Sequence, residues 1–438
     1  MRPDFIWGVS ASSYQIEGAA ETDGRGASIW DSFCRQPGRI ANGDTGAIAC
    51  DHYHRYHEDI ALMRDLGIGG YRFSVAWPRV IPDGTGPANA KGLAFYDRLI
   101  DTLLAAGIEP WLCLYHWDLP QALADCGGWA VRDSAGWFAD YAALVARRYG
   151  DRVKRFATFN EPAVFTLFGY GYGGHAPGVA DRVACLKAIH HVNLAHGAAV
   201  DAIRAMVPGA SLGAAHNYQP VIPASDAPAD RAAAQMFDAL WNGAFPDPQL
   251  LGRYPPAIAD EMLPLQQGGD LARMCRPVDW FGLNHYAPHY IKADARWPIG
   301  CGFADPPPHL PRTAIGWTIE PDAFRDTLLA VGARYGLPIY VLENGMSAPD
   351  RVGEAGAVDD PGRIAYLRDY IGAMHEASAA GSDVRGYFVW SLLDNFEWTW
   401  GYGQRFGLVH VDFATGRRTP KASARWYAEM IRQARAKP

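Results

Sequence analysis

Long apolar runs are missing from this chain. No stretch approaches the roughly 20 consecutive apolar residues that cross a bilayer, so a membrane-spanning helix is not expected. Positive charge is short as well. With 40 Lys and Arg against 47 Asp and Glu the formal net charge is -7, the wrong sign for a surface that neutralises phosphates, which argues against a nucleic-acid partner. Cysteines are few, odd in number at seven and nowhere spaced C-x-x-C. They read as scattered thiols in a reducing compartment rather than as a disulfide framework. Coiled-coil heptads and low-complexity tracts are absent, and a composition 49% hydrophobic and 20% charged excludes wholesale disorder. Phe5-Ile-Trp-Gly-Val-Ser10 already reads as a strand, which leaves no room for a cleavable signal and makes the cytoplasm the expected location.

Tryptophan is the abundant residue: 15 occur in 438 positions, several beside polar groups, as in His116-Trp117-Asp118 and Glu397-Trp398. Most of these rings are expected to pack the core. A few in such settings suit a sugar, whose C–H faces stack on an aromatic ring while its hydroxyls need polar partners.

The organising stretch is Arg155-Phe-Ala-Thr-Phe-Asn-Glu-Pro162, a short apolar run that stops on Asn160 and Glu161. Pro338-Ile-Tyr-Val-Leu-Glu-Asn-Gly345 repeats the layout and stops on Glu343. Further strands are predicted at 5–10, 70–77, 109–116, 212–217, 280–286 and 386–390, with helical segments between them. One helix carries Tyr53, Tyr56, Ile60, Met63 and Leu66 on one face. The next carries Leu93, Tyr96, Ile100 and Leu103, and a third has Trp137, Tyr141 and Leu144 behind Asp133 as N-cap. Thr419 and Pro420 are placed as N-cap and first residue of the last helix. Eight strands alternating with helices, most strands apolar on both faces, predict an α/β fold: one closed (β/α)8 barrel of the TIM type spanning 1–438, with long loops over its C-terminal face. The run Asp305-Pro-Pro-Pro-His-Leu-Pro311 is expected to be such a loop.

The predicted strand ends carry Arg72, His116 with Trp117, Asn160 with Glu161, Asn284 with Tyr286, Glu343, and Trp390 followed by Glu397. Polar groups at buried strand ends are costly unless they pair with one another or with a ligand, and the C-terminal mouth is where such barrels keep their chemistry. Two glutamates among Arg, Asn, Tyr and His are the equipment for breaking a glycosidic bond. Glu161, less solvated in a rigid turn, would hold its proton as general acid; Glu343, near Arg72 and Tyr286, would stay ionised as nucleophile. No metal or cofactor is needed.

Four motifs make the likeness specific. Thr158-Phe-Asn-Glu-Pro162, Leu342-Glu-Asn-Gly345, Leu114-Tyr-His-Trp-Asp-Leu-Pro120 and the opening Phe5-Ile-Trp-Gly-Val-Ser-Ala-Ser-Ser-Tyr-Gln-Ile-Glu-Gly18 resemble glycoside hydrolase family one, the family of β-glucosidases. The resemblance covers essentially the whole chain. It implies a retaining double displacement on small β-glycosides or oligosaccharides, with Glu161 as acid/base and Glu343 as nucleophile, their carboxyls about 5 to 5.5 Å apart. By the same matching, Gln15, His116, Asn160, Glu397 and Trp398 fall on positions that bind sugar hydroxyls, beside Trp117. Trp390 falls on the platform under the ring, Trp317 on a leaving-group platform, Asn284 and Tyr286 on the pair beside the nucleophile, and Arg72 on its arginine.

Many relatives carry Trp where this chain has Ala163, so that wall of the leaving-group site is expected to be more open. His285 stands where a tyrosine is frequent. Relatives acting on 6-phosphorylated sugars replace the Glu-Trp pair that Phe396-Glu-Trp-Thr-Trp-Gly-Tyr402 retains. Gly169-Tyr-Gly-Tyr-Gly-Gly174 has a dinucleotide-binding spelling but not the strand-to-helix setting. His52, His54 and His57 have no convergent ligand set for a metal, and Glu17 reads as a loop salt bridge. The alternatives are a transglycosylating enzyme of the same family, a non-catalytic sugar-binding protein on the same barrel and, on the glycine spelling alone, a nicotinamide-linked oxidoreductase.

Overall fold

The computed structural model describes residues 2, 4–354 and 356–436. Eight strands close into a parallel barrel: β1 (Ile6–Ser10), β2 (Gly70–Ser74), β3 (Glu109–Tyr115), β4 (Arg155–Asn160), β5 (Ser211–Asn217), β6 (Phe281–Asn284), β7 (Ile339–Asn344) and β8 (Val384–Trp390). Each pairs with the next in chain order, and β8 returns to β1. Helices alternate with them, among them His52–Asp65, Ala90–Ala105, Ser134–Tyr149, Arg182–Met206, Pro321–Tyr335, Pro361–Ala379 and Ala422–Ala436. This is the (β/α)8 barrel that the strand rhythm implies.

The helices are held by the faces that the 3.6-residue period selects. Leu93, Tyr96, Ile100 and Leu103 are all buried, as are Tyr53, Tyr56, Ile60 and Met63. Asp133 takes the N-cap position of Ser134–Tyr149 but makes no side-chain cap bond, and Trp137 and Leu144 lie half-buried beside the deeper Phe138, Tyr141 and Val145. Inside the barrel a separate cluster of Trp111, Trp280, Tyr340, Leu342 and Phe388 fills the lower half. Those rings fit because glycines stand opposite: a Cβ on Gly8 would lie 2.3 Å from Phe388, and one on Gly213 2.3 Å from Trp280. The lower interior is therefore solid, and any site must open at the other end.

Two boundaries differ from the sequence prediction. The last helix starts at Ala422, not Pro420; Thr419 and Pro420 belong to Arg418–Pro420, which pairs antiparallel with Val409–Val411. Backbone pairing there outweighs the local start signal. The second strand ends at Ser74, and Trp77 opens a short helix, Trp77–Val80.

Charge holds the loops to the barrel. Lys421 bridges Asp350 and Asp394 at 2.5 and 2.7 Å, and Arg363 pairs with Asp350 and Asp360, all of them buried or nearly so. Glu17 is likewise a buried partner of Arg79 at 2.9 Å. Among the histidines of the first cluster, His52 is buried against Asp59 at 2.7 Å and His54 pairs with Asp51 at 2.6 Å. Among the described residues no group of three potential ligands could hold a metal, and no helix is long and apolar enough to cross a membrane. Residues 169–174 sit in a π-helical turn and the bends after it, not at a strand-to-helix junction. The Pro-rich segment has no regular structure, and Pro306 borders the pocket at the barrel mouth.

Candidate active site

A pocket of about 570 Å³ opens at the C-terminal end of the strands. Register explains why polar residues gather there. Ser10 lies between Arg72 and Trp390, and Asn284 lies between Asn217 and Glu343. The pairing slips between Val341 and Glu343, and between Ala157 and Asn160, just before each glutamate is reached. Such irregularities re-aim the side chains that follow them. Pro162 then starts a helix at once, which leaves Glu161 as its N-cap at φ +47°. Trp117 at φ +77° and Trp398 at φ +48° share this left-handed conformation and line the same pocket. Non-glycine residues tolerate it only where the surrounding structure imposes it.

Arg72 joins the two halves. It is buried at the barrel centre and donates to Glu343 Oε1 with one nitrogen and to Asn160 Oδ1 with another. Asn284 Nδ2 donates to Asn160 Oδ1 at 2.9 Å and to Glu161 Oε1 at 3.0 Å. One network therefore links both carboxyls through Asn284, Asn160 and Arg72. Tyr286 completes the Glu343 side by donating to Oε2 at 2.8 Å. Behind it Asn344 is fixed by the His285 carbonyl at 2.7 Å, Tyr366 at 3.1 Å and Tyr387 at 2.6 Å, which locks the end of β7.

The two carboxyls have unlike neighbours. Burial pushes Glu161 up to about 8, the charge of Glu343 adds to the shift, and the Asn284 bond opposes it. Burial also raises Glu343, but there the Arg72 guanidinium is the largest opposing influence and Tyr286 assists. The shared proton therefore belongs to Glu161, and Glu343 carries the charge. A third carboxyl, Glu397, is raised to about 8 by burial and by the charge of Glu343, with the Trp390 indole bond working against it. His116 accepts at Nε2 from the Asn160 amide at 3.0 Å, and burial followed by the charge of Arg72 holds it neutral.

Nine of the residues singled out from the sequence line the pocket: His116, Trp117, Glu161, Tyr286, Trp317, Glu343, Trp390, Glu397 and Trp398. Arg72, Asn160 and Asn284 stand one layer behind, fully buried. Gln15 is buried too, held by Ser12 at 2.6 Å and the Phe396 carbonyl at 2.9 Å, with its amide 3.5 Å from Glu397. Ala163 does not form an open wall. It is buried and outside the lining, to which the same segment contributes Val164 and Phe168. His285 points away from the pocket chemistry: it is fully buried, contacts the Tyr218 carbonyl at 2.9 Å and packs 5.1 Å from the Phe324 ring.

Several lining residues went unread in the sequence, namely Phe168, His175, Gln219, Trp241, Phe303 and Phe406. Gln219 follows the end of β5 by two residues, so the strand-end rule could have found it. The others come from short π-helical turns, a three-residue strand and loops, none with a periodic signal.

A buried pair of carboxyls, one protonated and one ionised, beside indole and imidazole groups can protonate a leaving oxygen and attack the carbon it leaves. Relatives agree. The chain is 44% identical over 433 residues to β-glucosidase A of Thermotoga maritima, covering 98% of this chain and 97% of that protein. It is 42% identical to the bifunctional β-D-glucosidase/β-D-fucosidase of Bifidobacterium breve, covering 98% and 97%. The solved Thermotoga maritima β-glucosidase in complex with glucoimidazole superposes with a TM-score of 0.93 at 43% identity, over 98% of both chains. A family model described as glycosyl hydrolase family 1 matches residues 1–436, and with these likenesses over nearly its full length the chain belongs to that family.

Proposed function

We propose that the protein is a retaining exo-β-glucosidase that releases the terminal nonreducing β-D-glucosyl unit of small glycosides or oligosaccharides. The observation that carries this is the pair Glu161 and Glu343, buried in one pocket with opposite partners. Glu343 attacks the anomeric carbon as Glu161 gives its proton to the departing oxygen; Glu161, now ionised, then takes a proton from water, which cleaves the glycosyl-enzyme. Arg72 and Tyr286 keep Glu343 charged. His116, Trp117, Trp390, Glu397 and Trp398 hold the sugar, Asn160 sets His116 and Gln15 sets Glu397 from behind, and Trp317 borders the leaving group. The name of the Bifidobacterium breve relative supports β-fucosides as side substrates, and β-galactosides are expected beside them. The whole chain acts as one domain, and the buried free thiols suit the cytoplasm.

The first experiment is a comparison of kcat/KM on the nitrophenyl β-glucoside, β-galactoside, β-fucoside and β-glucoside 6-phosphate. Turnover of the unphosphorylated sugars, glucoside first, is expected. Among the described residues no lysine or arginine lines the pocket, so a phosphate there would be buried without a cation. The 6-phosphate should therefore be poorer by at least about 100-fold. Preference for the phosphorylated substrate would contradict this account of the pocket.

The pH profile follows from the two carboxyls. Glu161 must be protonated, so kcat/KM should fall as pH rises through about 8. Glu343 must be ionised, so activity should also fall on the acid side, at a pH above that of an ordinary glutamate. Tyr286→Phe removes one charge-assisted bond, worth about 1.5–3 kcal/mol. It should lower kcat by roughly 10- to 100-fold and move the acid limb to higher pH. An unmoved acid limb would show that Tyr286 does not act through Glu343.

A further inference from the structure

Three segments that carry site residues meet a second time, in a buried polar cluster outside the pocket lining. Asp118 follows Trp117 directly and is fully buried, and its Oδ2 accepts from the Ser13 hydroxyl at 2.7 Å. The Ser13 amide donates to Ser74 Oγ at 2.8 Å, and that hydroxyl returns a bond to Ser13 Oγ at 3.0 Å. Ser13 opens the short helix that carries Gln15, and Ser74 closes β2 two residues beyond Arg72. Asp118 thus ties the segment of His116 and Trp117 to two neighbouring strand ends. That tie has strain to hold. Trp117 sits at φ +77°, a conformation that non-glycine residues keep only where their surroundings impose it. Its indole donates to the Asn160 carbonyl at 3.0 Å, and the next residue is fastened to Ser13.

The other Asp118 oxygen, Oδ1, is buried with no protein partner, and so is Arg79 Nη1. The remaining Arg79 nitrogens are engaged, Nε with Glu17 at 2.9 Å and Nη2 with the Gly18 carbonyl at 3.0 Å. Asp118, Arg79, Glu17, Arg25 and Ser13 line one cavity of about 10 Å³, close to the space that a single water needs. Two guanidiniums and two carboxyls surround it, so an ion of either sign would meet its own charge there. Water can accept from Nη1 and also reach Oδ1.

We propose that Asp118 is a positioning residue for sugar binding: through Ser13, and through one buried water shared with Arg79, it fixes the strained turn that presents His116 and Trp117. It touches no substrate. The proposal rests on the β-glucosidase function above. Burial pushes the Asp118 carboxyl up to about 7, against the Ser13 bond, so near neutral pH an amide is a close substitute for it.

The test measures kcat/KM on nitrophenyl β-glucoside and on its 3-, 4- and 6-deoxy analogues, which each lack one hydroxyl and share one leaving group. Asp118→Ala should lower kcat/KM on the parent glucoside by about 10- to 100-fold, the scale of a displaced binding group. The penalty for at least one missing hydroxyl should shrink by roughly tenfold, because a loosened His116 or Trp117 discriminates less. Ser13→Ala should shift that penalty in the same direction, and Asp118→Asn should keep the wild-type penalties. The chain is tied again just beyond, by Ile29 N to the Leu119 carbonyl at 2.8 Å, so these variants are expected to fold. A wild-type crystal structure should show one water bonded to both Arg79 Nη1 and Asp118 Oδ1. All four substrates falling alike in Asp118→Ala and Ser13→Ala, or Asp118→Asn behaving as Asp118→Ala, overturns the positioning role; a dry cavity or a bound ion overturns the water bridge. Failure of the wild-type protein to turn over nitrophenyl β-glucoside overturns the glucosidase function instead and leaves the crystallographic result standing.

Discussion

Replacing Glu343 with glycine should lower turnover of nitrophenyl β-glucoside by roughly 10⁵-fold or more, the scale on which loss of a covalent nucleophile is felt. The variant keeps Glu161, the aromatic lining and the sugar-binding end, so substrate should still bind. What it loses is the carboxylate paired with Arg72. A buried guanidinium without its partner is strongly disfavoured, and a small anion entering the vacated space restores the pairing. Azide should therefore rescue the reaction. It attacks from the face that Glu343 occupied and gives the α-glucosyl azide, which the enzyme does not cleave and which accumulates. Near wild-type hydrolysis by Glu343→Gly without azide would remove Glu343 from the nucleophile's role.

Replacing Glu161 with alanine should produce a loss that depends on the leaving group. General acid–base catalysis contributes about 10²–10⁴-fold. A 2-phenylethyl glucoside, whose oxygen must be protonated as it leaves, should lose that full amount in kcat/KM. A dinitrophenyl glucoside, whose oxygen leaves without a proton, should keep most of its kcat/KM but stall at the glycosyl-enzyme, because no base remains to activate water. Azide should then speed release and give the β-glucosyl azide, opposite in configuration to the product of Glu343→Gly. The alkaline limb near pH 8 should weaken, since Glu161 no longer contributes to it while Glu397 still titrates there. Equal losses for both leaving groups would mean that Glu161 is not the proton donor.

These expectations were largely legible before the fold was known, because barrel strands are short, apolar and abruptly ended. Arg155–Asn160 and Ile339–Asn344 display that pattern directly: Glu161 stands one residue past its strand's end and Glu343 one residue before its own. The tertiary context was not legible in the same way. Thr419 and Pro420 spell a helix start, but cross-strand bonds to Val409–Val411 claim them for a hairpin. Ala163 suggested an opening, but it is buried outside the lining, to which Val164 and Phe168 contribute. Phe168, Trp241 and Phe303 come from a π-helical turn, another such turn and a three-residue edge strand. No hydrophobic period marks such segments, and their meeting is set only by how the loops fold over the barrel. The sequence thus speaks clearly about the end of the pocket that does the chemistry and hardly at all about the end that admits the leaving group.

The central claim is that catalysis passes through a glucosyl ester on Glu343. It is tested most directly by incubating the wild-type protein with dinitrophenyl 2-deoxy-2-fluoro-β-glucoside, which slows release more than formation of the ester, and mapping the adduct by peptide mass spectrometry. One fluoroglucosyl group per chain, on the peptide bearing Glu343 and absent from Glu343→Gly, is the expected result. An adduct on Glu161, or inactivation with no covalent adduct at all, would contradict it.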